Sequence, residues 1–121
     1  MSHTILLVDD SATVLMSMSV ILKQAGYNVL TAPSADAALN TLKTTKPNLV
    51  ITDLNMPGMN GIEFIKAAKT NAALRFTPFV ILTTETGVGK KDDARAAGAA
   101  GWLVKPVVPD QLLQVVKQVA K

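Results

Sequence analysis

Five times along this chain a short, largely aliphatic run gives way to a stretch with helical spacing, and this alternation constrains the fold more than any other feature. The runs are TILLV from Thr4, NVLTA from Asn28, NLVIT from Asn48, FVILT from Phe79 and GWLV from Gly101. The first is nearly continuous rather than alternating in polarity, as expected of a strand covered on both faces. From about Ala12 to Ala25 the spacing changes, with Val14, Met18, Ile21 and Leu22 on one side of a helix that Ser11 can cap and Gly26 can end. Further helices are expected in SADAALNTLKTT, punctuated by Pro47, and in NGIEFIKAAKTN, where Asn60 and Glu63 have capping-box spacing. GKKDDARAAGA is polar and Ala-rich, and PDQLLQVVKQVAK carries Pro109 in its first turn. Such alternation predicts a parallel sheet with helices on both faces. No repeat, low-complexity segment or linker interrupts it, so residues 1–121 are expected to form one domain, large enough for a proper core.

In open α/β sheets, ligands bind beyond the carboxyl ends of the strands. Here those ends carry polar groups: Asp9 and Asp10 after the first strand, Asp53 after the third, Thr83 on the fourth and Lys105 after the fifth. The second strand runs into TAPS, which suits an outer position, and the expected order is 2-1-3-4-5. Clustered carboxylates raise one another's pKa and destabilise a fold unless a cation joins them. Lys105 offers one positive charge against three negative ones. A hard divalent cation with oxygen ligands would balance them, and Mg²⁺ typically takes one or two carboxylates, keeps several waters and accepts a phosphoryl oxygen. Three acids, a hydroxyl and an amine form a set suited to phosphoryl transfer, where catalysis is mostly positioning and charge neutralisation. One strand-end Asp reads simply as a cap for the next helix; three, with Thr and Lys in register, do not.

The motifs VDDS, ITDLNMPGMNG, ILTTE and GWLVKP, in this order and covering essentially the whole chain, resemble the receiver domain of two-component response regulators. The likeness is greatest to the single-domain, CheY-type chemotaxis regulators. Those regulators are themselves a standard example of the 2-1-3-4-5 order, so topology and resemblance are not independent here. The resemblance implies a flavodoxin-like α/β fold with five helices around a five-stranded parallel sheet. It implies that Asp53 accepts a phosphoryl group from a histidine kinase or a small phosphodonor. Mg²⁺ is implied at Asp10, Asp53 and the backbone carbonyl of Asn55, with Asp9 acting through a metal-bound water. Thr83 is implied to move toward the new phosphoryl oxygen, Lys105 to pair with another, and Trp102 to be the aromatic that turns inward as Thr83 moves. Asn55 and Glu85 occupy positions that tune phosphoryl hydrolysis in this family, and a cis bond before Pro106 turns Lys105 into the site. The chain departs from the family pattern at Asn60, where Asp is usual, at Val107, where Phe is common, and at Leu15, where a basic residue is frequent. TGVGKK, with Gly87 and Gly89, is expected to make the entry to the fourth helix pliant.

Composition sets the remaining bounds. There is no cysteine, which excludes disulfides and thiolate metal sites. With 49% hydrophobic and 17% charged residues the chain reads as globular and soluble, and no apolar run reaches the length of a membrane span. The start, MSHTILLV, lacks a signal-peptide layout, so a cytoplasmic location is expected. The net charge of +3 comes from scattered Lys residues with few aromatics, which is no signature of nucleic-acid binding. The expected device is a stand-alone, monomeric receiver that catalyses only its own phosphorylation and dephosphorylation. Its output would be protein–protein contact through the fourth helix, fifth strand and fifth helix. There Lys90, Lys91, Arg95 and Lys117 suit an acidic target such as the flagellar motor switch, and a phosphatase is a further partner. A phosphorelay intermediate, or a receiver excised from a longer regulator, is the alternative within the family. Outside it, an FMN-binding flavodoxin-like protein would present hydroxyls and amides in place of Asp9 and Asp10. A Mg²⁺-dependent phosphohydrolase would usually carry a second acid where Asn55 stands.

Overall fold

A parallel sheet orders the chain. In the computed structural model, which describes residues 3–84 and 88–120, the strands are β1 (Thr4–Val8), β2 (Asn28–Ala32), β3 (Leu49–Asp53), β4 (Phe79–Thr83) and β5 (Ala99–Val104). They pair in the order 2-1-3-4-5, all parallel, as the alternation predicts. The helices are α1 (Ala12–Gln24), α2 (Ala35–Leu42), α3 (Gly61–Lys69), α4 (Val88–Ala97) and α5 (Pro109–Val119).

Successive strand residues point to opposite faces, so each strand feeds two cores. Ile5, Leu7, Leu49, Ile51, Val80, Leu82 and Leu103 meet Met18 and Leu22 of α1 and Leu112 and Val116 of α5. On the other face Leu6, Val8, Val50, Phe79 and Ile81 meet Ala38 and Leu42 of α2, Phe64 and Ile65 of α3, and Ala94 of α4. Burial on both faces is why the inner strands read as apolar runs. Edge strand β2 leaves Asn28, Leu30 and Thr31 exposed, which explains its mixed composition.

Local signals set the helix ends. Ser11 Oγ accepts from Val14 N at 3.3 Å, and Gly26, just past the C-cap Ala25, takes φ +96°, a left-handed value that glycine adopts without a Cβ penalty. At α3, Asn60 Oδ1 accepts from Glu63 N at 2.8 Å while Asn60 N donates to Glu63 Oε1 at 3.0 Å.

Several details differ from expectation. β3 runs through Asp53, placing that carboxylate in the ladder opposite Leu82 rather than beyond it. β5 begins at Ala99, because the ladder slips between Phe79 and Val80 and admits an extra small residue. A 3-10 turn, Ala72–Leu74, precedes β4; three residues are too few to leave a periodic signal. α4 begins at Val88, one residue before the expected start at Gly89, which sits in its first turn, and Gly87 lies outside the described residues. No described helix is long and apolar enough to cross a membrane.

The reciprocal cap on α3 has a measurable worth. Asn60→Ala should cost about 1 kcal/mol and lower the melting temperature by roughly 4 °C, readable in paired thermal and urea unfolding curves.

Candidate functional site

Three carboxylates converge where β1 and β3 end. Asp9, Asp10 and Asp53 each offer an oxygen within 4.8 Å of the others. Asp9 and Asp53 are only 3% and 6% exposed, while Asp10 lies at the rim. The backbone fixes the two buried ones. Asp9 N donates to Ala32 O of β2 at 3.2 Å, and Asp9 Oδ1 accepts from Ser11 N at 2.9 Å as α1 begins. Leu54 N, just past Asp53, donates to Leu82 O at 3.2 Å, so the ladder with β4 continues past the carboxylate.

Lys105 reaches this cluster from the far side of the sheet. Its N–H donates to Thr83 O at 2.8 Å, and Nζ lies 3.0 Å from Asp9 Oδ2 and 3.4 Å from Asp53 Oδ1. The Lys105–Pro106 bond is cis, as the resemblance implies. Burial first, then the charge of Asp9, holds the Asp53 carboxyl above the ordinary range, against the pull of Lys105; Asp10 adds a smaller push upward. Burial alone would lower the Lys105 ammonium, but its hydrogen bond to Asp9 and the charges of Asp53 and Asp9 outweigh that and raise it.

One ammonium against three carboxylates leaves two negative charges in excess. The donor set fits Mg²⁺. It is all oxygen and partly solvent-facing, and octahedral ligands at about 2.1 Å stand about 3 to 4 Å apart, so little closure is needed.

Thr83 is fully buried and, two residues after Ile81, shares its face of the sheet. Trp102 pairs with Ile81 across β4 and β5, so the hydroxyl and the indole are diagonal neighbours on one face. The ring is not turned to solvent. It is half-buried against the core with Ala97 and Ala99, and its Nε1 is buried without a hydrogen-bond acceptor among the described residues. Asn55 is exposed on the loop after β3, Pro106 is exposed, and Glu85 lies outside the described residues. Val107 and Leu15, both departures from the family pattern, pack against the α1 and α5 layer.

One positioning residue went unread in the sequence. A Cβ at Gly61 would overlap the Asp53 carbonyl oxygen, and Gly61 N donates to Leu54 O at 2.8 Å. The missing side chain lets the start of α3 sit directly on the backbone of Asp53. Its signal was a glycine at the first helical position, directly after a strong cap.

The chain belongs to the response regulator receiver domain family, whose model matches residues 5–117, and receiver domains are signalling modules rather than classical enzymes. Receiver domains take their phosphoryl group from histidine kinases and typically bind Mg²⁺ at an Asp cluster. The chain is similar to the chemotaxis protein CheY4 of Vibrio cholerae, with a TM-score of 0.95, 41% identity, and 98% of this chain and 99% of that one covered. Protein PilG of Pseudomonas aeruginosa is 31% identical over 93% of this chain and 84% of its own length. The phosphate regulon transcriptional regulatory protein PhoB of Klebsiella pneumoniae is 32% identical over all of this chain, which spans only 53% of that regulator.

The raised Asp53 pKa makes a stability prediction for metal-free protein. Stability tied to neutral Asp53 is complete below the unfolded value of 3.8 and is lost as pH rises through the higher folded value. Asp53→Asn should therefore melt above the parent at pH 7 in EDTA, the gap closing toward pH 4. A gap that does not narrow at low pH would overturn the electrostatic account.

Proposed function

We propose that this chain is a phosphorylation-driven switch, one receiver unit over residues 1–121, in which Asp53 is the phospho-acceptor. The carboxylate cluster with Lys105 across it is the observation that carries the reading. An Asp53 oxygen forms the new bond to phosphorus as the bond from phosphorus to the donor breaks. The donor atom, an imidazole nitrogen of a histidine kinase or an acyl oxygen of acetyl phosphate, keeps the electron pair. Asp10, Asp53 and the Asn55 carbonyl would hold Mg²⁺, with Asp9 acting through a water, and the ion would neutralise the charge gathering on the transferred group. Lys105 serves the same end from the protein side by exchanging Asp53 for a phosphoryl oxygen. Asn55, exposed on the loop after β3, would tune how long the modification lasts, and Glu85 carries the same expectation from its sequence position alone.

The readout runs through Thr83 and Trp102. A hydroxyl drawn toward the phosphoryl group opens space on the face the indole shares, and the ring repacks into it. This is a population shift that phosphorylation drives by favouring one packing. The surface it alters is that of α4, β5 and α5, with exposed Lys91, Arg95, Val104 and Val108. That surface suits an acidic target. The likeness to CheY4, a chemotaxis response regulator, supports a role in chemotaxis; the flagellar motor switch as target, a phosphatase that resets the signal and a cytoplasmic monomer complete the proposed reading.

Incubation with acetyl phosphate and Mg²⁺ should add one phosphoryl group, mapped by mass to Asp53. EDTA and Asp53→Asn should each abolish it, and modification surviving in Asp53→Asn would reassign the acceptor. Mg²⁺ at a hundredfold excess over its dissociation constant should stabilise the parent by about 2.7 kcal/mol, and Asp10→Ala should lose that gain. For the readout, beryllofluoride with Mg²⁺ should change the emission of Trp102, the only tryptophan. Thr83→Ala should bind the mimic yet lose most of the change; a parental response in Thr83→Ala would break the proposed route.

A further inference from the structure

At the opposite end of the sheet, Phe76 is 78% exposed, the most exposed large apolar side chain among the described residues. Its exposure is imposed by its surroundings. Leu74 anchors the preceding turn in the core, Asn71 caps that turn through Ala73 N at 3.0 Å, and Thr77 N donates to Leu74 O at 3.1 Å. Lys69 Nζ then donates to Arg75 O at 3.2 Å and Thr77 O at 2.8 Å, tying down the residue on each side of the phenylalanine. The same ammonium lies 5.1 Å above the buried Phe79 ring. A ring held outward in this way loses little entropy when a partner covers it.

Beside the ring, Lys46, Pro47, Asn48, Phe76 and Thr77 line a cleft of about 480 Å³. Asn48 is already engaged, its Oδ1 accepting from Thr4 N at 2.7 Å, which fixes that wall. The Arg75 guanidinium stands 5.5 Å over the Phe76 ring, and Lys46 is exposed at the rim. Among the described residues, no carboxylate lines the cleft. The connectivity explains why. In a parallel α/β sheet all helices start at the carboxyl edge, where Asp36, Glu63 and Asp110 occupy first turns beside Asp9, Asp10 and Asp53. The last turns bring Lys23, Lys66, Lys69 and Lys117 to the Phe76 end.

We propose that this cleft is a docking site for an acidic polypeptide segment whose apolar side chain packs on Phe76 while its carboxylates meet Arg75 and Lys46. Exposed aromatic and arginine side chains are the anchors that dominate protein interfaces. A single ring beside a concave cleft suits one inserted side chain. It is too little for the row of stacking rings that single-stranded nucleic acid uses, or for the broad apolar face that a lipid surface requires. β4, five residues or ~17 Å long, separates the cleft from the Thr83 end, so docking here does not depend on the phosphorylation reading.

Titrating the isotope-labelled full chain with a glutamate-rich peptide bearing one central phenylalanine tests this. Amide shifts should gather at residues 46–48 and 75–77. Phe76→Ser and Arg75→Glu should each weaken binding about tenfold or more while keeping the parental melting curve and acetyl phosphate labelling. The same peptide with its phenylalanine replaced by alanine should bind more weakly. Shifts confined to α4, β5 and α5, parental affinity in both variants, or no shift at millimolar peptide would overturn the proposal. So would tighter, Phe76-dependent retention by phosphatidylglycerol vesicles or a single-stranded oligonucleotide.

Discussion

Carboxylate crowding at the carboxyl edge of the sheet is the constraint around which the rest is arranged. Asp9 and Asp53 are buried together with one ammonium between them, and a third acid waits at the rim. Such an arrangement is weak as a source of stability, since desolvating the charges offsets much of their attraction. Its value is positional. Asp9 and Lys105 stand 96 residues apart in sequence, so their 3.0 Å contact exists only when first and last strands are both in place. Parallel pairing makes this possible by bringing the strand ends and the helix starts to one edge, where the positive ends of the helix dipoles also ease the negative charge.

The alternation of side chains along each strand keeps two cores separate while letting one position speak to both chemistry and surface. Thr83 ends the strand beside Lys105 yet shares the face of Ile81, and Ile81 pairs with Trp102. A change at the carboxylate edge therefore has a short lateral path into the layer that α4 covers. The indole nitrogen in that layer, without an acceptor among the described residues, is consistent with a ring whose position is not deeply favoured, since a buried donor without an acceptor carries a cost of about 1 to 3 kcal/mol.

Much of this was legible in the sequence because its signals are local or periodic. The alternation gave the sheet, and the polar strand ends gave the cluster of Asp9, Asp10, Asp53 and Lys105. Ser11, Gly26 and Asn60 marked helix ends by capping chemistry that acts over three or four residues. What escaped depends on contacts between distant backbones or on small residues without a pattern. The clash awaiting a Cβ at Gly61, the early start of β5 at Ala99 and the turn at Ala72–Leu74 are of this kind. The half-buried attitude of Trp102 likewise depends on its packing against the α2, α3 and α4 core, which periodicity does not describe.

The helices are not fastened equally. α3 is pinned at its head by the backbone-to-backbone seat of Gly61 on residues 53 and 54, and at its tail by the Lys69 bonds to the chain before β4. It also buries Phe64 and Ile65 completely. Among its described side chains, α4, its neighbour, meets the same core through Ala94 and Ala97, whose small size contributes little buried area. In the proposed switch, α3 would act as a stator and α4 as a lightly sprung part riding on it. Under the proposed switch, a modest free energy released beside Thr83 would move α4 more readily than α3. The frame that aligns the carboxylates would stay still while the outer surface moves.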